Sequence, residues 1–113
     1  MQERILKVNQ LIKKELSQMI LREVEFSSDV LATITRVETT RKIDEAKVYV
    51  SVLPESKAKI VFDILKRKIY YLQHLLNKRL KMRPIPKIVF VEEKETIKAG
   101  RVEELLEKLK FEK

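Results

Sequence analysis

The stretch SKAKIVFDILKRKIYYLQHLLNKRLKMRPIPKIVFV, residues 56–91, governs how the rest of the chain must be arranged. Val61, Leu65, Leu72, Leu76 and Leu80 recur at spacings that place them on one side of an α-helix, with Ile64 and Leu75 beside them. Pro54 closes the preceding segment, so this helix opens at Glu55 or Ser56. At 100° per residue Lys68 falls inside the apolar stripe, where a buried ammonium is costly. The helix is therefore expected to bend near Lys68-Ile69-Tyr70 and form two segments. The competing solution is a straight helix whose Lys68 stem reaches outward. Arg83-Pro84-Ile85-Pro86 cannot continue a helix and holds the chain extended. Ile88 and Phe90 then share one face of a short strand.

The same stretch concentrates charge. It holds ten lysines and arginines against Asp63 alone, a net +9, where the whole chain carries +8. A charge run on a helix is by default a solvated face. Here the entire surplus sits on one helix and its exit loop, which reads as a footprint for a polyanion.

Working outward, residues 2–24 carry Ile5, Val8, Ile12, Leu16, Met19 and Ile20 at spacings of three and four, an amphipathic helix. Phe26-Ser27-Ser28-Asp29 ends it with loop formers. Leu31–Glu38 reads as a strand, but Ile34 and Val37 point to opposite faces unless a bulge intervenes. Ala46, Val48, Val50 and Val52 alternate with Lys47, Tyr49 and Ser51, a second strand with one face buried and Lys47 and Tyr49 turned to solvent or a ligand. The short link between these strands predicts antiparallel pairing. Beyond the third strand, Gly100 suits a turn, and Val102, Leu105, Leu106 and Leu109 suit a final short helix.

With 113 residues, the chain fits one domain with a modest core. It contains no cysteine, which excludes disulfides, thiolate catalysis and cysteine zinc sites, and fits a reducing cytoplasm. MQERILKVNQ lacks the apolar centre of a signal peptide. No apolar run approaches the roughly 18 residues of a membrane span.

The order α-β-β-α-(bend)-α-β, plus a C-terminal helix, is that of a type II KH-like α+β domain, with three strands covered on one face by helices. Further residues carry a resemblance: Arg4-Ile5-Leu6-Lys7-Val8, Leu31-Ala32-Thr33-Ile34-Thr35-Arg36-Val37-Glu38, and Asp44-Glu45-Ala46-Lys47-Val48-Tyr49-Val50-Ser51-Val52. The most specific piece is Leu80-Lys81-Met82-Arg83-Pro84-Ile85-Pro86-Lys87-Ile88-Val89-Phe90, with leucine, arginine, proline and phenylalanine at set intervals. In this order and at these separations they resemble the bacterial ribosome-binding factor A family over nearly the whole chain. That family bends its second helix at an alanine-any-glycine kink. The corresponding residues here are Lys68-Ile69-Tyr70, with neither type, and Gln73 stands where the family often has arginine.

The resemblance implies a KH-like RNA-binding domain over residues 1–93 and a C-terminal extension over residues 94–113. It implies a monomeric, cytoplasmic assembly factor that binds the small (30S) ribosomal subunit and 16S rRNA or its precursor, and aids late maturation and rRNA processing. No catalytic residue, cofactor, metal or membrane is expected. The RNA-binding candidates are Lys47, Lys66, Arg67, Lys68, Lys78, Arg79, Lys81 and Arg83.

Three other readings are weighed against this one. An enzyme would need more than the lone His74, which sits on the helix side away from the leucines. Glu92, Glu93 and Glu95 look like a solvated loop, and one glycine cannot make a phosphate loop. A protein-interaction or membrane-surface module could use Tyr70 and Tyr71 on a basic helix. A general nucleic-acid-binding module for DNA or RNA could use the same basic face, although no helix-turn-helix spacing appears.

Overall fold

The computed structural model describes residues 2–94. Helix α1 spans Gln2–Glu23, strands β1 and β2 span Leu31–Thr39 and Glu45–Leu53, helix α2 spans Ala58–Arg79 and strand β3 spans Lys87–Glu92. The sheet order is β1-β2-β3. β1 and β2 pair antiparallel, while β2 and β3 pair parallel, which requires the crossover that α2 supplies. The type II KH-like α+β layout expected from the sequence is the one observed.

The core lies between the two helices and one sheet face. Val8, Ile12, Leu16 and Met19 of α1 meet Val61, Leu65, Leu72 and Leu76 of α2 over Val48, Val50, Ile88 and Phe90. Each fully buried aliphatic side chain contributes about 1.5–3 kcal/mol relative to exposure. The expected irregularity in β1 is a bulge: the register shifts between Ile34 and Arg36. The extra residue, Thr35, lets Ile34 and Val37 both turn inward, and both are buried.

The β1–β2 link is held by side chains. Thr40 Oγ1 donates to Asp44 Oδ1 and accepts the Asp44 N–H at 3.1 Å. Ile43 takes a left-handed φ of 57°, an unfavourable conformation for a β-branched residue. Its side chain is nonetheless buried, which offsets the local cost. Asn9 ties α1 to the end of β1, its Oδ1 accepting the Thr39 N–H at 3.0 Å and the Thr39 hydroxyl at 2.6 Å.

α2 starts later than its sequence suggests. Glu55–Lys57 forms a 3₁₀ turn after Pro54, and the α-helix proper begins at Ala58. The two segments expected around Lys68-Ile69-Tyr70 are corrected to a single 22-residue helix. Ile69, four after Leu65 and three before Leu72, takes the inward place and packs against the core. Lys68 is exposed, its Nζ 6.0 Å from the Tyr71 ring centroid. Its stem thus resolves the conflict by reaching outward. Leu80 caps the helix in extended conformation, its N–H donating to Leu76 O at 2.9 Å. The expected turn at Gly100 and helix over residues 102–109 lie outside the described residues.

Candidate nucleic-acid interface

The exposed arc of α2 presents Lys66, Arg67 and Lys68 at mid-helix and Lys78 in the last turn, with Lys81 and Arg83 exposed just beyond. Burial of Leu65, Leu72 and Leu76 forces these intervening residues outward. Among the described residues, Lys66, Lys68, Lys78, Lys81 and Arg83 form no ion pair. Arg67 makes one long contact, from Nε to Asp63 O at 3.4 Å. Cations in the last turn also complement the helix dipole, so Lys78 has a structural use independent of any ligand.

Two candidates stand apart from that arc. Arg79 Nε lies 2.8 Å from Glu15 Oε1, so its charge is partly neutralised while it joins α2 to α1. Lys47 alternates with the buried Ala46 and Val48, which puts it on the sheet face turned away from both helices. The eight candidates therefore do not form one surface; those along α2 and its exit are exposed, with Lys66 beside one depression of the helix and Arg67 and Lys68 beside another.

The face carrying Lys47 has a different electrostatic character. The Arg36 guanidinium stacks 3.9 Å from the Tyr49 ring centroid and pairs with Glu38 at 2.6 Å and Glu93 at 2.8 Å. Thr35 Oγ1 donates to the same Glu93 oxygen at 2.8 Å. Burial raises the Tyr49 hydroxyl pKa, and its 3.0 Å hydrogen bond to Glu38 adds to the effect. Glu93, expected in a solvated loop, has a side chain only 2% exposed: its N–H donates to Val50 O on the central strand β2, and its carboxylate reaches Thr35 and Arg36 at the bulge of β1.

Beside the basic arc, α2 and β3 enclose a groove of about 610 Å³, lined by Lys66, Ile69, Tyr70, Gln73 and Asn77 on the helix and by Ile85 and residues 87–90 on the other wall. Gln73 holds these walls in register. Its Oε1 accepts the Ile88 N–H at 2.9 Å, and its Nε2 donates to Pro86 O at 3.2 Å and Asn77 Oδ1 at 3.1 Å. Sequence reasoning missed this role. Gln73 borders the apolar stripe, and only the return of the chain through Pro86 gives it a partner. Across α2, a second depression of about 530 Å³ brings Arg22, Arg67 and Lys68 together beside Glu23 and Glu25. Tyr71 donates to Glu23 at 3.0 Å, and that hydrogen bond raises its hydroxyl pKa.

Among the described residues, no three His, Cys, Asp or Glu side chains cluster to hold a metal ion. No helix there is long and apolar enough to cross a membrane. His74 is exposed on the outer side of α2, away from the core leucines as expected.

Comparison with known proteins adds an independent finding. Residues 4–106 match the family model described as ribosome-binding factor A. The chain is 33% identical over 111 residues to ribosome-binding factor A of Caldanaerobacter subterraneus subsp. tengcongensis, covering 96% of this chain and 91% of the relative. Its fold resembles the crystal structure of ribosome-binding factor A from Thermus thermophilus with a TM-score of 0.63, at 21% identity, over 78% of this chain and 93% of that one. A homology model of the Thermus thermophilus factor, as fitted into the cryo-EM map of a 30S complex, superposes with a TM-score of 0.61 at 24% identity, over 75% of this chain and 90% of that one. Matched along nearly its full length in sequence and sharing the three-stranded helix-covered fold, the chain belongs to the ribosome-binding factor A family.

Proposed function

We propose that this protein is a non-catalytic assembly factor that binds the small (30S) ribosomal subunit during late maturation and aids processing of 16S rRNA. It acts in the cytoplasm as a monomer. The carrying observation is the family match over residues 4–106, and the Thermus thermophilus relative fitted into a 30S complex supports the choice of partner. The binding surface is the outer arc of α2 and its exit loop, with Lys66, Arg67, Lys68, Lys78, Lys81 and Arg83 as phosphate contacts. Arg79 and Lys47 contribute less, the first because Glu15 shares its charge and the second because it faces elsewhere. In this reading residues 1–93 are the KH-like RNA-binding domain and residues 94–113 its C-terminal extension.

The physical account is electrostatic. Each phosphate met by an unpaired lysine or arginine releases condensed counterions, so affinity falls steeply with salt. A ridge of exposed cations on a rigid helix recognises the shape and backbone of folded RNA without needing a base code. Gradient sedimentation tests the reading: the protein travels with free small subunits at low salt, leaves them as salt rises, and is absent from translating ribosomes. Equal co-sedimentation with translating ribosomes, or binding indifferent to salt, defeats it.

A further inference from the structure

We propose that the outer face of the sheet is a docking surface for this chain's own C-terminal extension, whose apolar stripe over residues 102–109 lies as a helix across Leu31, Leu53 and Val91. The proposal goes beyond the RNA-binding reading and does not depend on it. Cross-strand register sets the composition of that face. Tyr49 stands between Arg36 and Val91, and Leu53 pairs with Leu31 at the end of the sheet. Leu31 and Leu53 are 60% and 57% exposed, and Val89 and Val91 are half-buried. Thr33 and Ser51, paired between these apolar groups, are short and leave a shallow floor.

The burial of Glu93 carries the proposal. Its carboxylate lies across this face, accepting from Thr35 Oγ1 and Arg36 Nε at 2.8 Å each, yet its side chain is only 2% exposed. α1 and α2 pack on the opposite side of the sheet, over Val48, Val50 and Ile88, so neither shields it. Arg36 beside it is itself 34% exposed. A carboxylate shut off from water on the helix-free side of a sheet needs a cover. The chain that follows it is the nearest material.

Position, length and composition of residues 95–113 fit that cover. β3 runs parallel to β2 and ends opposite Val50, so the chain leaves the sheet at the end where Leu53 and Leu31 stand. Residues 95–101 could reach about 23 Å if extended, at about 3.3 Å per residue. The three strands are only about 10 Å across. A helix over residues 102–109 would be about 12 Å long, close to that width. Val102, Leu105, Leu106 and Leu109 recur at spacings of three and four, a stripe that needs an apolar surface. Residues 95–113 hold five acids and five bases, so the extension offers a polyanion no net attraction. Docked on the outer face, it closes the sheet on both sides and leaves the basic arc of α2 open on the far side of the molecule.

The chain has no cysteine, so a single Glu107→Cys variant, off the stripe, takes one nitroxide label on the full chain. In its amide NMR spectrum, Thr33, Ser51, Leu53 and Val91 are expected to lose most of their intensity, while Lys66 and Lys78 on α2 keep theirs. Adding Leu105→Asp and Leu106→Asp restores the outer-face signals and leaves the dispersed signals of Val48 and Val50 in place. Outer-face signals that stay sharp in the labelled parent stripe overturn the proposal, as does loss spread evenly over the molecule. Loss that survives the two aspartates overturns the apolar stripe as its cause. A second copy is tested by mixing isotope-labelled protein without nitroxide and unlabelled protein with it. Equal loss in that mixture assigns the face to contact between copies and overturns docking within the chain.

Discussion

The arginines and lysines on the two sides of this molecule have the same formal charge in opposite circumstances. On the outer sheet face, Arg36 is stacked on Tyr49 and bonded to Glu38 and Glu93. On the outer arc of α2, Lys66 and Lys68 project with no carboxylate partner among the described residues. Arg36 is committed to partners within the protein, while the lysines keep their charge exposed to solvent and to any polyanion that approaches. Counting charges cannot separate these uses; the location of the acids can. Within residues 56–91 there is one acid, so the cations of α2 have little local choice.

The contrast is broken most severely by reversing the arc. Lys66→Glu, Arg67→Glu and Lys68→Glu together are expected to weaken association with small subunits at least about 100-fold at low salt. Each lost phosphate contact also makes the slope of log affinity against log salt shallower by about one, so the triple variant loses about three. Glutamate is a good helix former and all three sites are exposed, so the far-ultraviolet circular dichroism spectrum is expected to match the parent's. A parent-like salt slope would mean that the RNA lies elsewhere.

The opposite manipulation targets the sheet face. Arg36→Met keeps length and some contact with Tyr49 but takes a charge-assisted donor from Glu93, whose side chain is only 2% exposed. Hydrogen bonds to charged groups contribute about 1.5–3 kcal/mol, so chemical denaturation should show a loss of that size. Subunit affinity is expected to stay within twofold. A variant of parental stability and impaired binding would reverse the roles assigned to the two faces.

How much of this could be read in advance follows from the range of the interactions. The α1 stripe, the β2 alternation and the β1 bulge were legible because each rests on residues a few positions apart. Ile34 and Val37 cannot both be buried without an extra residue, and Thr35 supplies it. The Lys68 conflict was legible, but its solution was not. Whether a helix breaks or a side chain reaches outward depends on Ile69 finding a place against strands that local pattern does not position. The burial of Glu93, the bridging role of Gln73 and the pairing of Arg79 with Glu15 were not legible for the same reason. Their partners lie 57, 15 and 64 residues away, at Arg36, Ile88 and Glu15.

Arg79 supplies the smallest and sharpest test, because it belongs by sequence to the basic helix and by geometry to the paired class. Its side chain is 55% exposed, while that of Glu15, whose carboxylate it meets at 2.8 Å, is 13% exposed. A pair with one end in water contributes about 0.2–1 kcal/mol. Arg79→Ala should therefore cost no more than about 1 kcal/mol in denaturant unfolding. It should reduce the salt slope of subunit binding by less than Lys66→Ala does, since Glu15 already offsets its field. Glu15→Gln makes the prediction two-sided: removing the partner releases Arg79 to the polyanion, so binding at low salt should tighten slightly as stability falls. If Arg79→Ala instead costs as much affinity as Lys66→Ala and Glu15→Gln changes nothing, the pair opens when RNA arrives. Carboxylate proximity in the free protein would then fail as the rule that sorts structural from ligand-facing cations here.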